Sequence, residues 1–373
     1  MVVLGLVVVS LGLVVAPGIV AQTAPASLQY SSALQIDGDS DHLTTVTVTN
    51  AWPDAPSLTY ALVPRGEPAP DADRFDAVVP VPVERLVSLS TTVIPHLRDL
   101  GVIDRLVAVD QGDYIYDEEV HRRIEEGAII EVGTGESLNV EKIITARPDL
   151  VLTSAMGADD LTLRRLSAVG VPVIVLADWR EADPLGRAEW IRLVGALFDR
   201  SNAAVELFAQ RAERYRSVAA LVERIPAGER PTILVNAPWQ GSWPVPAGDS
   251  YVARLFEDGG GRYLWRDRSG TGSVFLDVES VMERGGDAEF WFNLNYGWQE
   301  RSDITDTDPR LGVFSSFRSG TVYHYIRRVR PWGANDYWES GAARPDLVLS
   351  DIVRILHPSV LPDHDLVYYR RVP

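Results

Sequence analysis

The chain contains no cysteine. That absence excludes disulfides, thiolate nucleophiles, Cys-ligated zinc, iron–sulfur clusters and a lipid-modified anchoring cysteine. Positive charge is also short: 35 Lys and Arg stand against 52 Asp and Glu, a formal net charge of −17. Nucleic acid and anionic membrane surfaces both call for a positive patch, so neither is expected as a partner. Histidine is scarce. His42, His96, His121, His324, His357 and His364 show no close spacing, whereas a receptor for a bare metal ion needs several converging His or carboxylate ligands. No metal site is expected. The motifs Gly-x-Ser-x-Gly, His-Glu-x-x-His and Gly-x-x-x-x-Gly-Lys are all missing. Long apolar runs are missing too, apart from residues 2–15, which fall short of the roughly 20 residues a membrane span takes. With Ile19-Val-Ala21 and then polar Gln22-Thr23 behind it, that run reads as a signal-peptide core, with residues 1–21 removed on export. Its basic leading region is lacking, and a buried N-terminal strand is the alternative. A periplasmic location is expected.

What is present is a short pattern that occurs twice. Leu138-Asn-Val-Glu141 opens a helix-like run, and Asp149 eight residues on opens the strand-like Leu150-Val-Leu. Leu276-Asp-Val-Glu279 does the same, with Asp287 leading into Phe290-Trp-Phe. Two similar lobes with one acid at the same place suggest a receptor docking on a two-fold partner. Aromatics are abundant: of 10 Trp, seven lie beyond residue 230, more than a core needs. Some are expected to line a ligand surface.

Residues 27–80 alternate in strand fashion, most cleanly at Leu43-Thr-Thr-Val-Thr-Val-Thr49, and read as a β extension. Residues 81–183 alternate strands (Arg85–Ser90, Leu106–Asp110, Leu150–Thr153, Val171–Leu176) with helices, the first helix capped by Thr91 or Thr92 and ended by Gly101. That order predicts a parallel sheet covered on both faces. Residues 184–229 carry no strand pattern. Phe208, Ala212, Tyr215, Ala219 and Val222 form one stripe, predicting a rigid connecting helix over Asn202–Glu223. Strand–helix alternation resumes over 230–373, with strands at Thr232–Asn236, Glu289–Asn293 and Thr321–Tyr325 and a last helix from Pro345 to about Leu356. The segments Ala146–Leu152 and Ala343–Leu349 are identical, yet their flanks predict a strand for the first and a helix for the second. The fold class expected is α/β: two parallel-sheet lobes joined by one long helix, behind an N-terminal β extension.

Taken in order, Arg85-Leu-Val-Ser-Leu-Ser-Thr-Thr92, Leu138-Asn-Val-Glu141, Arg147-Pro-Asp-Leu-Val151, Gly170-Val-Pro-Val173, Asp183-Pro-Leu-Gly-Arg-Ala-Glu-Trp190 and Asn335-Asp-Tyr-Trp-Glu339 with Arg344-Pro345 resemble the cobalamin, ferric-siderophore and haem receptors of ABC importers. These are the helical-backbone class of periplasmic substrate-binding proteins, and the resemblance covers roughly residues 81–373. It implies a monomeric, non-catalytic receptor with no cofactor, which captures a metal chelate between its lobes and delivers it to an inner-membrane permease dimer. It further implies that Glu141 and Glu279 each meet an arginine cluster on one permease subunit; a favoured acid in a helix's first turn is the plainer account of either alone.

Ligand contacts are expected from loops behind the strand ends. The candidates are Tyr114, Tyr116, Met156 and Trp179 in the first lobe, and Trp239, Trp243, Tyr296, Trp298, Arg330, Trp332 and Tyr337 in the second. Flat rings suit a corrin, porphyrin or catecholate, and Arg180 and Arg330 suit anionic groups. Haem is the alternative chelate, since a tyrosinate ligates ferric haem. An alternative of another class is a secreted serine hydrolase built on Gly248-Asp-Ser250, although Asp363-His364 are adjacent and a loop turn explains the motif as well.

Overall fold

Alternation decides the first strands of the computed structural model, which describes residues 27–40 and 43–373. The expected signal peptide, residues 1–21, lies outside them. β1 (Leu34–Ser40), β2 (Leu43–Val48) and β3 (Leu58–Pro64) pair antiparallel, and β4 (Ala77–Val81) joins β3 in parallel. Val46 and Val48 of β2 point inward while Thr45 and Thr47 stay half-buried. This is the expected β extension.

The first lobe has β5 (Leu86–Ser88), β6 (Leu106–Val109), β7 (Ile130–Glu131), β8 (Leu150–Ser154) and β9 (Val173–Leu176), all parallel, in the order β7-β6-β5-β8-β9. Its helices are α1 (Ile94–Asp99), α2 (Glu118–Glu125), α3 (Val140–Ala146) and α4 (Leu161–Ser167). Apolar residues fill both sides of the sheet, as a helix-covered parallel sheet requires. The threonine cap is corrected: Thr91–Val93 form a 3-10 turn into α1, and no side chain caps it. Thr92 bonds to the Ser90 hydroxyl instead, and Pro95 in the first turn sets the helix without a donor.

The connector is α5 (Pro184–Glu189), α6 (Ile191–Leu197) and α7 (Ser201–Glu223), the last of 23 residues. Phe208, Ala212, Tyr215 and Val222 are its buried stripe, as expected. The second lobe has β10 (Thr232–Val235), β11 (Ser242–Pro246), β12 (Arg262–Tyr263), β13 (Ser273–Asp277), β14 (Phe290–Phe292), β15 (Val322–His324) and β16 (Arg370–Arg371). Its sheet runs β12-β10-β14-β15-β16, parallel except for β16, and β11 and β13 form a separate antiparallel ribbon. The helices are α8 (Tyr251–Asp258), α9 (Val278–Gly285), α10 (Arg301–Thr307), α11 (Ser315–Ser319), α12 (Asp336–Ala343) and α13 (Pro345–Leu356). The identical segments diverge as expected: one becomes β8, the other starts α13.

One buried cluster runs through the extension, both lobes and α7. Two buried carboxylates tie the start of the described chain to the connector. Glu189 accepts the backbone N–H groups of Gln29, Tyr30 and Ser31 at 2.8–2.9 Å. Glu181 accepts those of Ser32 at 2.9 Å and Ala33 at 3.2 Å, with the indole N–H of Trp190 at 3.1 Å.

Candidate functional site

The parallel strands of each lobe end at one edge, and the loops leaving that edge carry large side chains in water. Tyr114 after β6 is 57% exposed, Met156 after β8 74%, Trp239 after β10 57% and Tyr296 after β14 44%. Burial would stabilise each, so their exposure at this edge needs a reason. Two loops start on a left-handed asparagine: Asn236 at φ 66° and Asn293 at φ 57°. Asparagine tolerates that conformation better than most residues. The Asn236 carbonyl accepts the Trp291 indole N–H at 2.6 Å, and Asn293 accepts the Tyr369 hydroxyl at 2.8 Å. The sequence reading missed both residues, although each closes an apolar strand run.

The lobes meet at the same edge. Trp332 donates its indole N–H to the Ile115 carbonyl at 2.9 Å and stacks on His121 at 3.8 Å. Arg330 donates to the Tyr116 carbonyl at 3.0 Å, lies 4.1 Å over the Tyr116 ring and pairs with Glu118. Arg328 reaches the Tyr116 hydroxyl at 3.3 Å. Glu339 accepts the N–H groups of Tyr116 at 2.7 Å and Asp117 at 3.1 Å. Three expected ligand residues, Tyr116, Arg330 and Trp332, are thus brought together, and they clasp the lobes. A cavity of about 450 Å³ flanks the clasp, lined from both lobes by Arg98, Tyr116, Arg328, Arg330, Glu339 and Arg344, among others. Burial pushes the Glu339 carboxyl up to about 8, with nearby Asp336 and Asp117 adding to it against the two N–H donors.

Trp179 is half-buried at the exit of β9, with the Arg180 guanidinium 5.2 Å over its ring. Arg180 donates to Asn50 of the extension at 2.8 Å. Three expectations are corrected. Trp243 is 0% exposed, sits in β11 rather than a loop, and bonds to the Val235 carbonyl at 3.0 Å. Trp298 is buried with its indole N–H on Thr307, and Tyr337 is buried in α12 stacked on Tyr325. A ring enclosed this fully offers no open face for a flat ligand to stack on. Trp338, beside Tyr337, is the ring that is 47% exposed, edge-on to Tyr325. No sequence signal picks it out, because neighbours on one helix cannot be told apart without knowing which side is covered.

The hydrolase alternative is corrected too. Ser250 is 3% exposed and caps α8: its hydroxyl donates to the Ala247 carbonyl at 2.6 Å and accepts the Ala253 N–H at 3.2 Å. Glu141 and Glu279 are each the second residue of a helix, α3 and α9, behind side-chain caps Asn139 and Asp277. Both are exposed, and Glu279 pairs with Arg310 at 3.1 Å. Among the described residues no three His, Asp or Glu converge as a metal site. His96 and His324 are buried, which pushes them down to about 3 and about 4.

Residues 86–305 match the family model described as "Periplasmic binding protein". An uncharacterized lipoprotein of Methanocaldococcus jannaschii is 26% identical over 321 residues, 82% of this chain and 74% of that one. A vitamin B12-binding protein of Yersinia pestis is 36% identical over a shorter stretch of 93 residues, 24% of this chain and 30% of its own. The solved structure of a periplasmic heme binding protein from Pseudomonas aeruginosa is 20% identical with a TM-score of 0.54, covering 74% of this chain and 94% of that one.

Proposed function

The chain belongs to the periplasmic binding protein family, and on that footing we propose that its ligand is a metal chelate, a ferric siderophore or cobalamin. Membership makes it a non-catalytic, periplasmic solute-binding protein, which takes a small ligand between two lobes and passes it to the membrane permease of an ABC importer. The observation that carries the choice of ligand is the exposure of Tyr114, Met156, Trp239 and Tyr296 at the strand ends of both lobes. Flat or polarizable apolar side chains held in water by ordered loops suit a broad, rigid, partly aromatic ligand. Similarity to a vitamin B12-binding protein supports the cobalamin arm.

Haem is the second reading. The Tyr114 hydroxyl has no partner among the described residues, while that of Tyr116 is engaged by Arg328. A free phenol at the rim suits ferric haem. In both readings the protein acts as a monomer, and Glu141 and Glu279 present one acid per lobe to the permease.

These chelates are coloured, so tryptophan quenching and absorption discriminate among them. Titration with cyanocobalamin, a ferric hydroxamate, a ferric catecholate and hemin is expected to give saturable one-to-one quenching by one of the first three. A hemin spectrum that shifts, and loses the shift in Tyr114→Phe, favours haem. No response to any of the four overturns the chelate assignment.

A further inference from the structure

Arg187 is a buried cation whose Nε–H has no hydrogen-bond acceptor among the described residues, although its guanidinium also bonds to the Tyr251 hydroxyl. Its side chain is 9% exposed, its Nε–H has no partner, and the carboxylate it pairs with, Asp178, stays 3.6 Å away. That exceeds hydrogen-bond reach. One face of the guanidinium rests on the Tyr251 ring at 4.5 Å. A guanidinium does not shed its charge, so burying it with its Nε–H idle is unfavourable unless something completes the site. Orphaned buried donors in folded proteins commonly mark the place of a water or an anion.

The surroundings suit an anion from outside. Arg187 lines a chamber of about 20 Å³ with Pro184, Tyr251, Leu255, Tyr337 and Trp338. That volume admits about one oxygen-sized group. Its walls come from α5 of the connector, just behind the β9 exit, and from α8, α12 and α13 of the second lobe. Trp338 is 47% exposed, which brings the chamber to the surface where the connector meets the second lobe.

The helix that carries Arg187 is held in place. Glu181 and Glu189 bracket α5 and grip residues 29–33. A side chain at Gly186 would meet the Tyr30 carbonyl oxygen at 2.9 Å, so only glycine lets the extension lie this close. A charge on a fixed support is pre-organised for a partner.

We propose that Arg187 receives an acidic oxygen of the ligand in this chamber, so that the chelate is of the carboxylate-bearing class. This rests on the reading that a chelate occupies the space between the lobes. The carboxylate oxygen takes the idle Nε–H as a charge-assisted hydrogen bond while the chelate's flat part faces Trp338.

The test uses the wild-type chain, Arg187→Met, which keeps length without charge, and Arg187→Lys. Each is titrated with ferric citrate and with a neutral ferric trihydroxamate, read by tryptophan quenching. Arg187→Met is expected to weaken ferric citrate at least tenfold and the neutral chelate less than twofold, with Arg187→Lys between. Equal losses for both chelates, or none, overturn the proposal. Thermal unfolding without ligand gives a second reading. An unsatisfied cation predicts that Arg187→Met melts no lower than the wild type, whereas a cation serving only the fold predicts a clear drop. If neither chelate binds the wild type, the four-chelate titration decides the ligand assignment on its own, and iron-free citrate decides on Arg187. Citrate that raises the melting point of the wild type but not of Arg187→Met sustains the anion site. The same shift in both, or in neither, refutes it.

Discussion

Trp239 and Trp243 stand four residues apart and play opposite parts. Trp239 is 57% exposed at the turn, whereas Trp243 is fully enclosed and packs at 5.8 Å against both Trp291 and Phe314. Pro238, Gly241 and Pro244 around Trp239 and Trp243 suggest a loop from sequence. Proline is tolerated in β11 because that strand pairs with β13 alone, an edge position. Trp243→Ala is therefore expected to destabilise the fold by about 3–5 kcal/mol, a large core deletion. Trp239→Ala should leave the unfolding midpoint nearly unchanged and weaken the ligand by about 1–3 kcal/mol as a lost aromatic anchor. Denaturant unfolding and quenching titrations of the two variants check the split. A second residue-scale expectation concerns Glu339. Its carboxyl, raised to about 8 in the fold, holds a proton that the unfolded chain has already released. Stability from this group is complete at low pH and is lost as pH rises through about 8. The buried His96 and His324, lowered to about 3 and about 4, act in the opposite sense, but only below the unfolded histidine value near 6.5. Between pH 6.5 and 8 the Glu339 effect stands apart from theirs, so the melting temperature should fall there in the wild type and stay flatter in Glu339→Gln. Parallel melting curves across that window would remove Glu339 as the cause.

At the scale of elements, α5 holds the β extension through Glu189. Glu189 serves three successive backbone N–H groups 158 to 160 residues away. Removing it leaves those donors without an acceptor, at about 1–3 kcal/mol for a buried one. Glu189→Ala is expected to lower stability by about 3 kcal/mol and to speed amide exchange at residues 29–31 while exchange in β8 stays slow. Unchanged exchange at 29–31 would mean the segment is held by packing alone. The elements also show how far local pattern reaches. The α7 stripe and the α13 start were legible because helix periodicity and a proline at the first position act within a few turns. The β11–β13 ribbon was not, since 26 residues separate the ends of its pairing at Pro246 and Ser273 from their role as neighbours in one sheet face. The identical segments behind β8 and α13 make the same point. In the first, Arg147 takes φ 46° and closes α3; in the second, the same residues open a helix whose inner side is packed against α7 and α8.

At the scale of the whole molecule, Glu141 and Glu279 project from corresponding helices of two lobes that are braced by α7 and clasped through Tyr116, Arg330 and Trp332. Two anchors on a braced body fix orientation on a partner. Replacing both acids by lysine places like charge against the arginines expected on the permease, which can cost several kcal/mol across an interface. Transport is therefore expected to collapse in the double Glu141→Lys, Glu279→Lys variant while purified protein still binds ligand. Glu279 already has Arg310 beside it and Glu141 has no such cation among the described residues, so Glu141→Lys should be the milder change to the fold. Full transport by the double variant would end the docking assignment, and loss of ligand binding would move the acids into the site. Period-two and helical patterns, caps, the paired glutamate register and the absence of cysteine were determined by the sequence by itself, because each depends on a few neighbouring residues. Tertiary structure alone decided which aromatic rings face water, that Arg330 and Trp332 close on Tyr116 and Ile115, and that Arg187 is buried with its Nε–H idle. Burial and pairing are set by groups brought from far along the chain, as Glu339 is to Tyr116 across 223 residues, and no local pattern records that distance.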